Sequence, residues 1–516
     1  MQANVKIYPA PADAVLSPVY SVTVNGEPVS VQHFCEWHHT HFAFAGECEV
    51  VVSVKPTIGH QRNLKYIHRY TVQPARREIP TATVMNEVRF RLTEPAKLVI
   101  QVNEYEKLFF FADLVDADEP VPGMPGVVNA ADFLKDGTGQ VLQTAQLQAA
   151  IAAVPKNGTL YVPPGLYRTG SFCLKSDMTL YLAGGAVLKG SPDPADYPPD
   201  AASPYWSKLS FVRISDAANV VIRGHGVIDG NGTVVRAAGG GEHLFVARDS
   251  RNIVVRDIHV RDAAAWCLQT INCEHVTLRN IKMINNWDVM NTDGIDPTSC
   301  RHMLVEDCFV HSSDDGVVVK SFNGIPCDDI IVRRNIVMDK KSALKIGTET
   351  NGHIANVSFV DNDVILCDRG MALYIEDDCE VTNTRFIGNH FEEYFPDLRR
   401  KLIDFYTWDR KGDGKGGGRI LGVLVKDCMA ATLWPYTSCI LNGWGTIRDV
   451  HFDNFVLAGK VCRNLREADI AVDVMPHNDS RKPGVVNLTF SPNTLGLKAW
   501  NPALVMDPPR RPEQCG

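Results

Sequence analysis

A segment that returns every 27 residues constrains the fold of this chain more than any other feature. The segments CEHVTLRN (273–280), CRHMLVED (300–307), CDDIIVRR (327–334) and IANVSFVD (354–361) begin 27 residues apart. Each carries one short β-branched stretch, which can bury its apolar face only if neighbouring copies stack on one another. The repeat therefore predicts a right-handed parallel β-helix with one coil per repeat.

Three of these copies begin with a cysteine, namely Cys273, Cys300 and Cys327. On stacked coils they would form an internal ladder, and free cysteine packs well as a small hydrophobic residue. We predict buried thiols. The 14 cysteines include no CxxC pair, so neither a zinc ribbon nor a thioredoxin-like redox motif is indicated.

The first part of the chain has a different period. Apolar and polar residues alternate in YSVTV (20–24), ECEVVVSV (47–54) and KLVIQV (97–102), as in an antiparallel β-sandwich. The segment VPGMPG (121–126) is typical of a linker. Because 516 residues exceed one ordinary core, we predict an all-β chain with a sandwich at 1–122 and a β-helix at 123–516.

One helix is expected at the start of the second domain. Leu147, Ile151 and Val154 share a helical face between residues 144 and 154.

Composition excludes several classes of partner. A net charge of -8 and the lack of a basic stripe argue against nucleic acid. No run approaches the roughly 18 apolar residues of a membrane span. The N-terminal MQANVKIYPAP lacks a signal-peptide pattern, so we expect a cytoplasmic protein, or a secreted one whose signal has been removed.

Two carboxylate motifs occupy consecutive coils, NTDGID (291–296) and SSDDGVVVKS (312–321). Coils in register lie about 4.8 Å apart, which would bring Asp293 near Asp314 and Asp315. Repulsion between neighbouring carboxylates raises the proton affinity of at least one and gives an acid and a base at one pH. Glycosidic cleavage needs that pair. The alternative is that these aspartates merely cap turns.

At these residues the chain resembles glycoside hydrolase family 28, the polygalacturonases, over roughly residues 130 to 460. GTLYVPPGLYRTGSFCLKSDMTLYLAGGAVLKGS (158–191) and GHGVIDGNG (224–232) are similar to the family's opening coils. The resemblance implies an inverting hydrolase of α-glycosidic bonds in a polysaccharide or oligosaccharide, with no metal or other cofactor. Asp314 would be the general acid, and Asp293 with Asp315 would activate water. Inversion in turn implies carboxyl groups roughly 6.5 to 9.5 Å apart.

The departures from the family concern its substrate. Ser342 stands where the family has the histidine of a Gly-His-Gly motif, and RGMALYIE (369–376) offers Ala372 and Tyr374 in place of an Arg-x-Lys pair that grips galacturonate. YTVQP (70–74) and LFFFAD (108–113) are similar to the sandwich of family 49, the dextranases and isopullulanases. These features favour a neutral α-glucan of dextran or pullulan type as much as pectin.

Substrate contacts are expected from polar and aromatic side chains around the aspartates, because a flat apolar face with a polar edge suits a sugar ring. The predicted set is Asn291, Lys320, Ser342, Lys345, Tyr374, Tyr406 and Trp408. An acidic sugar stays an alternative substrate, because its carboxylate could be bound by the cations Lys320, Lys341, Lys345 and Arg369. Glu376 follows Glu349 by 27 residues and is expected to line the same cleft.

The stretch HFCEWHHTHF (33–42) suggests a metal site only at first sight. If Phe42 faces the core, His39 and His41 share the opposite, solvent-facing side of a strand. No third ligand is evident in the sequence, so no metal is predicted.

Two other functions compete with hydrolysis. A β-helical polysaccharide lyase would use the aspartates to hold Ca²⁺ and a lysine or arginine as base. A carbohydrate-binding β-helix without turnover would be consistent with the absence of the family's histidine and of its galacturonate-binding Arg-x-Lys pair.

Overall fold

The computed structural model describes residues 4–55, 67–396, 400–412, 417–443, 445–474 and 485–491. Within them, two packed sheets formed before residue 115 are followed by a parallel β-helix that starts at Val127. The predicted all-β fold, a β-sandwich followed by a parallel β-helix, is confirmed. The domain boundary at residues 122 and 123 stays a prediction, and the predicted end of the second domain, 492–516, lies outside the described residues.

The sandwich consists of two sheets around a core of valine, phenylalanine and leucine side chains. Its pairing is antiparallel except where Leu108–Leu114 runs parallel to Trp37–Ala45. The strands of the first sheet are Asn4–Ile7, Val31–Phe34, Trp37–Ala45, Tyr70–Gln73, Ala96–Val102 and Leu108–Leu114. The strands of the second are Tyr20–Val24, Glu27–Val29, Cys48–Val54, Thr81–Val84 and Glu87–Leu92.

Three long sheets run along the β-helix, one strand of each per coil. The first contains Val127–Asn129, Gly158–Val162, Met178–Leu182, Ala218–Gly224, Arg251–Arg256, Glu274–Arg279, Arg301–Glu306, Cys327–Arg333, Ile354–Val360, Glu380–Ile387, Arg419–Lys426, Thr446–Asp453 and Val485–Ser491. The second contains Thr138–Leu142, Gly165–Thr169, Ala186–Gly190, Val227–Asp229, His259–Arg261, Lys282–Ile284, Phe309–Ser312, Ile336–Asp339, Asp363–Cys367, His390–Tyr394, Met429–Ala430, Val456–Leu457 and Lys460–Val461.

The third sheet is called the site sheet below. Its strands are Phe172–Leu174, Ser210–Ser215, His243–Arg248, Leu268–Ile271, Ile295–Thr298, Val317–Ser321, Ser342–Thr350, Arg369–Ile375, Lys401–Thr407, Ser438–Asn442 and Ile470–Val474.

The strand register confirms that one repeat is one coil. Arg301 pairs with Asp328, and Asp328 pairs with Ala355, each step covering 27 residues. Cys273, Cys300 and Cys327 are free and buried, as predicted. An asparagine ladder adds polar links between the same coils: the Asn335 amide donates to Asn362 (2.9 Å), and the Asn362 amide donates to Asn389 (2.8 Å). Hydrogen-bonded stacking of this kind satisfies polar groups that would be costly to bury alone.

Helices are few in the described residues. The predicted helix is present as Thr144–Ala153, which buries Leu147 and Ile151 against the first coils. A second α-helix covers Gly232–Ala237, and short 3₁₀ turns cover Ala75–Arg77, Ala130–Asp132 and Pro194–Asp196. None of the helices in the described ranges has the length and apolar character needed to cross a membrane.

The sandwich packs against the second sheet of the β-helix. Trp37, Phe109 and Phe111 share one apolar cluster with β-helix residues that include Phe309 and Met338. Polar contacts surround it: the Gln73 amide donates to Glu392 (2.8 Å). The outer face of the first sandwich sheet is therefore buried, which matters for the histidines on it.

Candidate active site

Both aspartate motifs lie on turns that lead into the site sheet. Asp293 precedes Ile295–Thr298, and Asp314 with Asp315 precedes Val317–Ser321. The two turns stack, because the Gly294 N–H donates to the Asp315 carbonyl (2.8 Å). A Cβ at Gly294 would lie 2.3 Å from the Gly316 carbonyl oxygen. Glycine after the aspartate in each motif thus allows the turns to approach this closely.

The three aspartates, here called the aspartate cluster, meet as the repeat predicted. Each offers a carboxylate oxygen within 4.8 Å of the others. Asp293 and Asp315 are buried, whereas Asp314 is partly exposed. The nearest oxygens therefore lie within 4.8 Å, and the separation of roughly 6.5 to 9.5 Å expected between the acid and base carboxyl groups stays a prediction.

Two lysines explain how three carboxylates can approach so closely. Lys320 Nζ lies 3.1 Å from Asp293 and 3.1 Å from Asp296, and Lys345 Nζ lies 2.6 Å from Asp315. All these groups are buried, so their attraction is weakly screened. The predicted substrate-binding residues Lys320 and Lys345 therefore bind the aspartates themselves.

The surroundings push the pKa values of the adjacent pair in opposite directions. Burial raises the pKa of Asp314, and the neighbouring charge of Asp315 adds to it. Burial also disfavours ionisation of Asp315, but the ammonium of Lys345 and the guanidinium of Arg369 outweigh it and hold the pKa of Asp315 below its usual value. The pair thus combines a partly exposed carboxyl that holds its proton more tightly than usual with a buried carboxyl that loses its proton more readily, which is the division an acid and a base require.

Asp293 differs from Asp315 despite a similar ion pair. Burial raises the pKa of Asp293 well above its usual value, and the carboxylates of Asp296, Asp314 and Asp315 raise it further. Lys320 opposes this shift but is shared among several acids, including Glu349 at 3.4 Å. The cluster therefore has more carboxylates than cations to neutralise them.

Two predicted binding residues flank the cluster. The Ser342 N–H donates to Asp315 (3.1 Å), and its buried hydroxyl has no hydrogen-bond partner among the described residues. Asn291 is exposed at left-handed φ 61°, two residues before Asp293. Both positions border the aspartates, and their contact with substrate stays a prediction.

Tyr374 is engaged within the protein. It is 4% exposed, and its hydroxyl accepts from Arg369 (2.9 Å) and donates to Asp404 (2.6 Å). Its ring lies against that of Tyr406, with centroids 4.2 Å apart. Tyr374 therefore supports the wall of the site, whereas half-buried Tyr406 and Trp408 line a cavity of about 430 Å³.

Two acids next to Lys320 were not among the predicted catalytic or binding residues. Burial raises the pKa of Asp296 to about 7, although Lys320 opposes the shift. Burial would also raise the pKa of Glu349, but Lys320 outweighs it and the pKa lies below its usual value. Asp296 closes the NTDGID motif, and Glu349 lies two coils later, in the coil after Lys320, so both could have been found from the repeat.

The expectation for the histidine stretch was wrong in one respect. His39 and His41 do not face solvent, because their side of the sheet packs on the β-helix. His41 Nε2 lies 2.9 Å from Asp113, and His225 of the β-helix lies 3.6 Å from the same oxygen. His41, Asp113 and His225 are called the interface cluster.

Both clusters have a spacing that could hold a metal ion. Each already contains an ammonium in direct contact: Lys282 donates to Asp113, and Lys320 and Lys345 contact the aspartates. A divalent cation would be repelled by these charges. The donor sets therefore fit a metal poorly, and a metal-independent reaction stays our prediction.

Comparison with known proteins agrees with the pattern of aspartates. Residues 153–377 match the sequence model of glycosyl hydrolases family 28. A "probable polygalacturonase" from Vitis vinifera is 31% identical, covering 47% of this chain and 55% of the relative. An exo-poly-alpha-D-galacturonosidase from Dickeya chrysanthemi is 25% identical, covering 48% and 52%. The chain thus spans about half the length of these curated relatives.

Solved structures share the fold. Dex49A from Penicillium minioluteum superposes with a TM-score of 0.62 at 14% identity, covering 95% of this chain and 96% of that one. A hyperthermoactive exopolygalacturonase from Thermotoga maritima gives a TM-score of 0.54 at 23% identity, covering 71% and 93%. The resemblance read from the motifs is confirmed: residues 153–377 match the family 28 model, and the chain shares its fold with these solved structures.

Proposed function

We propose that the protein is a polygalacturonase-like glycoside hydrolase that cleaves α-glycosidic bonds in a polysaccharide or oligosaccharide. The observation that carries this proposal is the pair of opposite pKa shifts on adjacent residues, upward at Asp314 and downward at Asp315. The names of the curated relatives support the same reaction class.

In the proposed reaction, Asp314 protonates the leaving oxygen, because it is partly exposed and its raised pKa favours the protonated form. Asp315, held ionised by Lys345, takes a proton from the attacking water. Asp293 holds that water in place, and Lys320 fixes the orientation of Asp293 at 3.1 Å. No step requires a metal or organic cofactor.

The stereochemical course is a separate proposal. Inversion is implied by the family 28 resemblance, and nearest oxygens within 4.8 Å do not decide between the carboxyl separations of about 5 to 5.5 Å for retention and about 6.5 to 9.5 Å for inversion. We propose inversion, with the water bound beside Asp315. Proton NMR of the first product anomer tests it, and a retained anomer would make Asp315 or Asp293 a nucleophile.

The substrate proposal rests on the absence of the Arg-x-Lys pair, which Ala372 and Tyr374 replace. Charge-assisted hydrogen bonds would be the strongest way to grip a galacturonate carboxylate, but Ala372 and Tyr374 cannot supply the charge. Arg369 lies nearby, yet it is 7% exposed and donates to Tyr374. We therefore propose weak activity on unsubstituted polygalacturonate and a preference for a neutral or differently substituted α-linked glycan, such as one of dextran or pullulan type.

Reducing-sugar release from polygalacturonate, dextran and pullulan, measured side by side, tests both proposals. Hydrolysis of any of them that is lost in Asp314→Asn supports the reaction class, and a clear preference for polygalacturonate would overturn the substrate proposal. An unsaturated, ultraviolet-absorbing product lost on chelation would identify a lyase. Equal, negligible release by the wild type and Asp314→Asn on every substrate would favour a binding protein.

A further inference from the structure

A cavity of about 430 Å³ opens beside the site sheet, several coils beyond the aspartates. We call it the distal recess, and its lining includes Glu376, Lys401, Asp404, Tyr406, Trp408 and Arg410. Strand register places Lys345, Ala372 and Asp404 on successive coils. At about 4.8 Å per coil, the recess begins roughly 10 Å from the Lys345–Asp315 ion pair, in line with a glycan lying along the sheet.

The cations of the distal recess are already paired with protein acids. Arg410 lies 2.7 Å from Asp377 and 3.4 Å from Glu349. Lys401 lies 3.5 Å from Asp404 and contacts the thiol of Cys439 at 2.9 Å. Both cations are therefore partly neutralised by protein acids, which weakens their attraction for a carboxylate on a sugar.

The acids, by contrast, offer acceptors toward the recess. Glu376 Oε1 accepts from the Tyr406 hydroxyl (2.6 Å), and Oε2 has no hydrogen-bond partner among the described residues. The lining contains two carboxylates, Glu376 and Asp404, and two cations, and Arg410 is also neutralised by Asp377 and Glu349 from outside the lining. A sugar hydroxyl would donate to the two acids of the lining, whereas a uronate carboxylate would be repelled by them and would compete with them for the cations.

Aromatic side chains complete the wall. Tyr406 and Trp408 are half-buried and both line the recess. A flat apolar ring beside charged acceptors matches the apolar face and hydroxyl edge of a pyranose. The volume lies within the usual range for small-ligand sites, about 300 to 1,000 Å³.

We infer that the distal recess is a subsite for a neutral sugar ring, with Glu376 accepting hydroxyl hydrogen bonds and Trp408 stacking on the ring. The inference rests on the proposed function only in that the chain binds a glycan along the site sheet. It names the substrate class: a glycan whose ring at this subsite carries hydroxyls and no carboxylate.

Direct binding tests the inference without relying on turnover. Isothermal titration of the uncleaving variant Asp314→Asn with isomaltohexaose, maltohexaose and hexagalacturonate compares neutral with acidic probes of equal length. Trp408→Ala and Glu376→Gln are then added on the same background. Glu380→Gln is the matched control, because Glu380 is also a partly buried glutamate with a side-chain partner, Arg419 (2.8 Å), but lies on the first sheet, outside the recess.

One neutral probe should bind at least tenfold more tightly than hexagalacturonate. Glu376→Gln should weaken that neutral probe about tenfold, as loss of a charge-assisted hydrogen bond does, and should strengthen hexagalacturonate. Trp408→Ala should weaken it roughly tenfold, and Glu380→Gln should change nothing. The inference is overturned if hexagalacturonate binds as tightly as both neutral probes, or if the recess variants bind like the control.

Failure of the inference and failure of the proposed function give different results. If the wild type hydrolyses glycans and the recess variants bind the probes normally, the proposed reaction is supported and the inferred subsite is refuted. If the protein hydrolyses no glycan but binds a neutral probe, and Glu376→Gln weakens that binding, the proposed reaction is refuted and the inferred subsite is supported.

Discussion

The aspartate cluster and the interface cluster contain similar groups and differ in how completely those groups are paired. In the interface cluster one carboxylate, Asp113, receives contacts from Lys282, His41 and His225. Burial disfavours its charge, but Lys282 and the histidines outweigh it and hold the pKa of Asp113 well below its usual value. In the aspartate cluster three carboxylates share two lysines, and one of the three is partly exposed. In the interface cluster the carboxylate is fully paired, and the ion pairs hold the two domains together. In the aspartate cluster the carboxylates are incompletely paired and one of them is partly exposed, so a proton can be transferred to a substrate.

The largest expected effect comes from removing the accessible acid. Asp314→Asn should lower kcat/KM on the cleaved glycan by about 10² to 10⁴, the usual contribution of general acid catalysis. Its stability should stay close to that of the wild type, because no ion pair depends on this side chain among the described residues. Kinetics and urea unfolding measure the two quantities. Full activity in the variant would remove Asp314 from the mechanism.

The converse variant separates the two clusters. Asp113→Ala should lower the free energy of unfolding by about 3 to 5 kcal/mol, because it leaves the buried Lys282 ammonium unpaired. The folded fraction should retain its kcat. The double variant Asp113→Leu/Lys282→Met is the control and should recover much of the loss, since it removes both charges. An Asp113→Ala protein as stable as the wild type would show that the Asp113–Lys282 ion pair does not stabilise the interface between the sandwich and the β-helix.

Acid should protonate the interface histidines before it protonates Asp113, and so weaken the interface. Burial lowers the pKa of His41 to about 4 and that of His39 to about 3, and the pKa of His259 lies well below its usual value. Between about pH 6.5 and 4 the unfolded chain binds protons that the folded chain excludes, so stability falls as pH falls, by up to about 1.4 kcal/mol per pH unit for each histidine.

Urea unfolding at pH 7 and pH 4.5 measures that slope. The charged groups facing these rings include Asp113, Lys282 and Arg261, and none of these three has an ordinary pKa inside this window. His259→Leu should reduce the slope by one histidine's share. Equal stability at both pH values would contradict the prediction.

The smallest effect expected is a shift in the pH profile of activity. Lys345→Met removes the main charge that lowers the pKa of Asp315. The base then stays protonated to higher pH, so the acidic limb of kcat/KM should move upward, with a several-fold loss below it. Lys341→Met is the matched comparison: Lys341 opposes the raised pKa of Asp314 more than Lys345 does and is not among the main charges on Asp315, so its removal should move the alkaline limb upward and leave the acidic limb in place. Identical profiles for both variants would refute the division of roles.

The sequence by itself determined the fold and the meeting of the aspartates. A 27-residue repeat can bury its apolar stretches only by stacking. Stacking in register brings Asp293 beside Asp314 and Asp315 independently of the conformation of the loops. The buried cysteine ladder follows from the same register. The family resemblance could likewise be read from short segments, because those motifs are local.

Only the tertiary structure decided what surrounds those residues. The oxygens approach within 4.8 Å because Lys320 and Lys345 neutralise the repulsion between them, and the direction of a long side chain does not follow from its spacing. Tyr374 is engaged by Arg369 and Asp404. His39 and His41 are buried because a second domain covers their strand, a contact between residues far apart in sequence. Local period determines which residues share a coil, whereas pairing of charges across coils and domains depends on the packed molecule.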